Sequence, residues 1–144
     1  MFCMNAPKGQ KIDRKRENGM ANRFEIRQTK NGSFRFNLMA TNGQIIATSE
    51  TYSSLDSCKN GVESVRKNCA AHVEDQTKDG FESLTHPKYE VYKDKSGEFR
   101  FRLKAKNGEI IAVGEGYKAK ASCLNGIDSI GRNAPEAPVV QGEE

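Results

Sequence analysis

From residue 34 onward, Phe34, Phe36, Leu38 and Ala40 alternate with Arg35, Asn37 and Met39. A period of two places one set against a core and the other toward solvent, so the run predicts a half-buried strand. A shorter alternation, Phe24-Glu25-Ile26, precedes it through Lys30-Asn31-Gly32, where glycine supplies the positive φ that a tight hairpin needs. Asn42-Gly43, a strong short hairpin signal, then leads into a third run, Gln44 to Thr48. The three runs predict an antiparallel meander.

Beyond Ser53-Ser54, which can cap a helix, the period changes. Leu55, Cys58, Val62, Val65 and Cys69 recur at three- and four-residue steps and form one apolar stripe that can lie on a sheet. Asn60-Gly61 sits inside that helix, although an interior glycine costs about 1 kcal/mol relative to alanine. The expected compensation is close approach of the helix backbone to the sheet or to a second helix. A last segment, His72 to Thr77, reads as a short edge strand.

All of this happens twice. Shifted by 65 positions, residues 24–69 align without a gap on residues 89–134, with about 21 of 46 positions identical. Phe99, Arg100, Phe101, Leu103 and Ala105 repeat the central strand, and Asn107-Gly108 repeats the hairpin. Glu115-x-Tyr117 repeats Glu50-x-Tyr52, and Cys123, Asn125 and Gly126 repeat the helix motif. The weaker run Ala137 to Val140 stands where a second terminal strand would fall. One meander with one helix buries too little apolar surface to stand alone at this size, so the two units are expected to share one sheet and one core. The predicted fold is α+β: two tandem β-β-β-α-β repeats, 24–77 and 89–141, in a single antiparallel sheet with both helices on one face. Together they make one domain over residues 23–141. Residues 1–22 read as a basic, disordered extension in which Met20 resembles a natural start.

Tyr89-Glu90-Val91-Tyr92, Gly97-Glu98-Phe99-Arg100-Phe101-Arg102-Leu103, Asn107-Gly108-Glu109-Ile110-Ile111-Ala112 and Asn133-Ala134-Pro135 form an ordered set of blocks. In these blocks the chain resembles the YegP-like family of uncharacterised, tandemly duplicated small bacterial proteins, over about residues 21–141. The resemblance implies two repeats in one sheet, each lending its terminal strand to the other half, and it implies no activity. Cys69-Ala70 in place of the second repeat's Ala134-Pro135, and the long acidic linker from Glu74 to Glu82, depart from the pattern and bear on the crossover.

The net charge is +4, yet residues 1–23 carry six Lys/Arg against two acids, which accounts for the whole excess. Residues 24–144 sum to zero, so any attraction for polyanions has to come from the extension or from a local patch. Alternation places Arg100, Arg102, Lys104 and Lys106 in a row on the sheet face opposite the helices, with Arg35, Arg27 and Tyr92 expected nearby. Such a row can hold a phosphate backbone while the aromatic ring stacks a base. It can equally be the solvated face of a one-sided sheet, with Glu25–Arg35 and Glu90–Arg100 as cross-strand pairs.

Four cysteines without a C-x-x-C pair, and no apolar leader after Met1, argue for a reduced cytoplasmic setting. Cys58 and Cys69, eleven residues apart on one helix, are roughly 16 Å from each other and cannot bridge. Cys58 and Cys123 read as inert core thiols. His72 and His86 are the only histidines and neither is repeated, so neither a metal site nor a nucleophile–histidine–acid set is indicated. No run of about 18 apolar residues is present to span a membrane. The function expected is a non-enzymatic structural or interaction module with an unidentified protein partner and no cofactor. Its expected state is a monomer with internal pseudo-two-fold symmetry. The alternative is weak nucleic-acid or polyanion binding through the basic face. An enzyme acting through Glu115 and Tyr117 finds least support, because no base or nucleophile accompanies them.

Overall fold

The computed structural model describes residues 22–141, so the N-terminal extension expected over residues 1–22 lies outside the described residues except for Asn22. The first repeat runs β1 (Arg23–Gln28), β2 (Phe34–Met39), β3 (Ile45–Thr48), α1 (Leu55–Asn68) and β4 (His72–Asp75). The second runs β5 (Lys88–Lys93), β6 (Phe99–Lys104), β7 (Ile110–Gly114), α2 (Lys120–Asn133), a 3-10 turn (Ala134–Glu136) and β8 (Val139–Gln141). All eight strands form one sheet in the order β4-β5-β6-β7-β3-β2-β1-β8. The repeats meet at its centre, where Ala47 and Thr48 of β3 oppose Gly114 and Val113 of β7. Each terminal strand crosses to the other half: β4 pairs with β5 and β8 pairs with β1.

Those two edge pairings are parallel, so the sheet is mixed rather than antiparallel throughout. Period-two alternation encodes which face a residue occupies and is blind to strand direction. Direction here follows from where each helix delivers the chain. Both helices cover one face, and a single core joins Phe24, Ile26, Phe36, Leu38, Val62 and Val65 to Tyr89, Val91, Phe101, Leu103 and Ile130.

Local chemistry accounts for the element boundaries. Gly32, Gly43, Gly97 and Gly108 close the hairpins at φ between 84° and 88°. The Ser54 hydroxyl accepts the Ser57 N–H and caps α1, whereas α2 begins at Ala119 without a side-chain cap. Both helix glycines are explained by contact with the sheet layer. A Cβ on Gly126 would lie 2.6 Å from the Tyr117 hydroxyl and 3.1 Å from the Phe101 ring, and one on Gly61 would meet Tyr52 and Phe36. The repeated tyrosine and the repeated helix glycine are one packing unit.

Candidate functional site

The face away from the helices carries Arg100, Arg102 and Lys104 at alternate positions of β6, but their charges are paired differently from what alternation suggests. Hairpin register opposes Glu25 to Asn37 and Glu90 to Arg102, so neither Glu25–Arg35 nor Glu90–Arg100 is a pair. Arg102 Nε instead reaches Glu90 at 2.6 Å, while Lys104 and Lys88 reach the same carboxylate at 3.2 Å. Arg100 Nε donates to Asp94 at 2.7 Å, and Arg102 stacks over the Tyr92 ring at 4.5 Å. Tyr92, Arg100, Arg102 and Lys104 therefore do come together, with their cations committed to carboxylates. Lys106 lies past the end of β6, exposed in the turn. Arg35 lies on β2, separated from β6 by β3 and β7, which at about 4.8 Å per strand is roughly 14 Å away.

Beneath this face a buried ionic cluster fixes the linker. Glu74, Lys88 and Glu90 are each at most 5% exposed. Lys88 Nζ sits 2.7 Å from Glu74, which also accepts the Leu84 N–H at 2.7 Å, so residues after β4 fold back over β4 and β5. Burial opposes ionisation of Glu74, but bonds from Gln76, Lys88 and the Leu84 N–H outweigh it and bring its pKa to about 2. The Glu74 bond in turn raises the Lys88 pKa against its own desolvation. The cluster is structural, because every charge in it has a partner.

A different arrangement lies at the junction of the repeats. Glu50, Thr51 and Tyr52, just past β3, line one side of a cleft of about 550 Å³ whose other side is the Gly108-Glu109-Ile110 hairpin of the second repeat, with Lys104 and Ile111 beside it. Glu115 and Tyr117 line a cleft of about 470 Å³ against Gly43-Gln44-Ile45 of the first repeat. The two clefts are images of one another under the duplication. Glu50 and Glu115 are exposed, both tyrosines are half-buried, and Ile45 is 38% exposed. Tyr52 and Tyr117 are held by paired backbone bonds to Phe34 and Phe99, and Tyr52 stacks on Phe36. The repeated Glu-x-Tyr was legible in the sequence. Its apposition to the other repeat's Asn-Gly-x-Ile hairpin was not, although repetition of Ile45 as Ile110, the first exposed and the second partly buried, was a signal.

Burial raises the pKa of both tyrosines and pushes Cys58 and Cys123 up to about 11, so these hydroxyls and thiols stay protonated. Cys58, Cys69 and Cys123 are free thiols. His72 stands on the edge strand β4 with Nε2 2.7 Å from the Thr85 carbonyl. Among the described residues no cluster of His, Cys, Asp or Glu has the form of a metal site.

The architecture defines a duplicated α+β module whose halves complete each other's sheet and enclose two related clefts between them. The chain belongs to the family of the domain of unknown function DUF1508, whose pattern matches it twice, over residues 29–75 and 94–141. It is 40% identical over 118 residues to UPF0339 protein PA0329 of Pseudomonas aeruginosa, covering 82% of this chain and 94% of that one. A UPF0339 protein of Treponema denticola is 67% identical over 54 residues, covering 38% of this chain and 93% of the relative, which is therefore about one repeat long. The solution structure of yegP from E. coli, a protein of unknown function, superposes with a TM-score of 0.69 at 34% identity, covering 86% of this chain and 95% of that one. The relatives are uncharacterised, and the exchange of terminal strands matches what the resemblance implied.

Proposed function

We propose that the chain is a non-enzymatic, cytoplasmic interaction module that offers its two inter-repeat clefts to a protein partner. One observation carries the reading: Glu50 and Glu115, with Ile45 and Ile110, stayed identical through the duplication while exposed or only partly buried, and they converge in the clefts. Most other repeated positions have a structural reason, such as the core phenylalanines, the hairpin glycines or the glycines under the tyrosines. The non-enzymatic part rests on protonation. The tyrosine hydroxyls beside the clefts and the buried thiols are all shifted toward their neutral forms, which disfavours a role as nucleophile or base near neutral pH. No helix among the described residues is long and apolar enough to cross a membrane.

A photo-crosslinking side chain at Gln44 or Thr51, in cells, tests the reading. The expected result is a discrete adduct from both positions that disappears with Glu50→Arg and Glu115→Arg together, while the same probe at Lys59, exposed on α1, captures nothing in common. Equal adducts from Lys59, or adducts indifferent to both charge reversals, would sink it. The alternative, a polyanion site on the Arg100, Arg102 and Lys104 row, loses support because those cations are committed to Asp94 and Glu90.

A further inference from the structure

An open sheet has two edges, here β4 and β8, and the chain finishes them differently. β4 carries His72, Glu74 and Asp75, and the linker turns back beside it: His72 Nε2 lies 2.7 Å from the Thr85 carbonyl, and Glu74 accepts the Leu84 N–H. Charge and a covering segment are ordinary protections of an edge strand against pairing with another chain. β8 has neither. Its residues Val139, Val140 and Gln141 are uncharged, and no described strand lies beyond it.

The backbone of β8 shows which groups are left over. β8 runs parallel to β1, and the Phe24 N–H donates to the Pro138 carbonyl at 2.8 Å. Successive residues of a strand turn their backbone groups to opposite sides, so Val140 faces β1 like Pro138. The N–H and C=O of Val139 and Gln141 face away from the sheet, where no described residue bonds them. Val139 packs against the core, which puts the Val140 side chain on the open face, 40% exposed. On the helix side a cleft of about 410 Å³, between Lys59, Asn60 and Glu63 of α1 and Val139 and Gln141, keeps the edge clear.

We propose that β8 pairs antiparallel with β8 of a second copy of this chain about a two-fold axis at Val140, in place of the monomer expected from the sequence. Residues directly opposed in an antiparallel pair alternate between those that exchange both N–H···O bonds and those that exchange none. With the axis at Val140, Val139 of each copy opposes Gln141 of the other, and every outward-facing group of both residues is bonded. The two Val140 residues fall on the closer, non-bonded kind of pair, about 4.5 Å apart at Cα, and cover each other. An axis at Val139 would set Gln141 against Ala137, whose N–H is already given to the Asn133 carbonyl at 3.1 Å. The strand is therefore complementary to itself in one register, as a two-fold interface requires. The cleft rims bring one Lys59 and one Glu63 from each copy, so no net charge opposes the approach. A contact of three residues a side lies at the low end of specific interfaces, so the dimer forms and parts with concentration. It lies at the edge of the sheet, and the inter-repeat clefts lie at its centre.

The test is sedimentation and ¹⁵N NMR of the full chain from micromolar to millimolar concentration. The apparent mass is expected to rise toward twice that of one chain, with concentration-dependent amide shifts centred on Val139, Val140 and Gln141. Gln141→Pro removes only an outward N–H and should weaken association at least about tenfold while leaving the melting temperature unchanged. Val140→Lys sets two ammonium groups against each other at the axis and should do the same, whereas Val73→Lys, at an exposed position of β4, should not. A chain that stays monomeric at millimolar concentration leaves β8 to an extended segment of another protein and overturns the pairing with a second copy. Association that Gln141→Pro and Val140→Lys both leave unchanged, or shifts centred on β4 or on the clefts, overturns it as well.

Discussion

Gly126→Ala separates helix propensity from packing. In an exposed helix the change would stabilise by about 1 kcal/mol. Here the new Cβ would lie 2.6 Å from the Tyr117 hydroxyl oxygen and 3.1 Å from Phe101, where ordinary contact begins at 3.4 Å, so the tyrosine must move by about 0.8 Å. Tyr117 is anchored by Phe99 N–H to its carbonyl at 2.7 Å and by its own N–H to the Phe99 carbonyl at 2.8 Å, so the strain falls on the side chain and the helix. Overpacking of this kind costs about 1–3 kcal/mol, which exceeds the propensity gain, and the net expectation is a destabilisation of about 1 kcal/mol, or roughly 4 °C in Tm. Tyr117→Phe removes the nearest atom. Adding it should therefore bring the cost of Gly126→Ala close to zero, a coupling of about 1 kcal/mol readable in a double-mutant cycle from urea unfolding at constant m value. A Gly126→Ala variant more stable than the parent, or a cost that Tyr117→Phe leaves unchanged, would refute this account of the helix glycine.

Three further outcomes follow from the same structure. The folded-state pKa of Glu74, about 2, lies below its ordinary value of 4.5, so its contribution is present above pH 4.5 and is lost as the pH falls toward 2. Acid titration of stability should be shallower in Glu74→Gln, and an unchanged slope would remove Glu74 from the linkage. Removing its partner by Lys88→Met leaves two buried carboxylates short of a cation and should cost about 3–5 kcal/mol in chemical denaturation; a loss under about 1 kcal/mol would contradict the buried pairing. Because each terminal strand completes the other half, residues 22–87 expressed alone should assemble as a dimer in light scattering, and a folded monomer would show that β4 can pair within its own repeat.

Much of this fold was legible along the chain because its determinants are local. Alternation marked the faces of β2 and β6, the glycines with positive φ marked the hairpins, and the three-four spacing from Leu55 to Val65 marked the buried stripe of α1. The 65-residue repeat then required a shared core. Charge pairing was misjudged because side-chain alternation carries no register. The five residues between β1 and β2 set Glu25 against Asn37, and a basic row on paper became Arg100, Arg102 and Lys104 each bound to an acid.

Sequence by itself determined the elements, the duplication and the family, since each is written in residues close in the chain or in copies of them. Tertiary structure alone decided that β3 meets β7, although no loop joins them and only two residue pairs define their register. It also decided that the terminal strands run parallel to their neighbours, and that one repeat's Glu-x-Tyr faces the other's hairpin. Those outcomes depend on burying two incomplete apolar faces in one core, a requirement of the whole chain that no local pattern records.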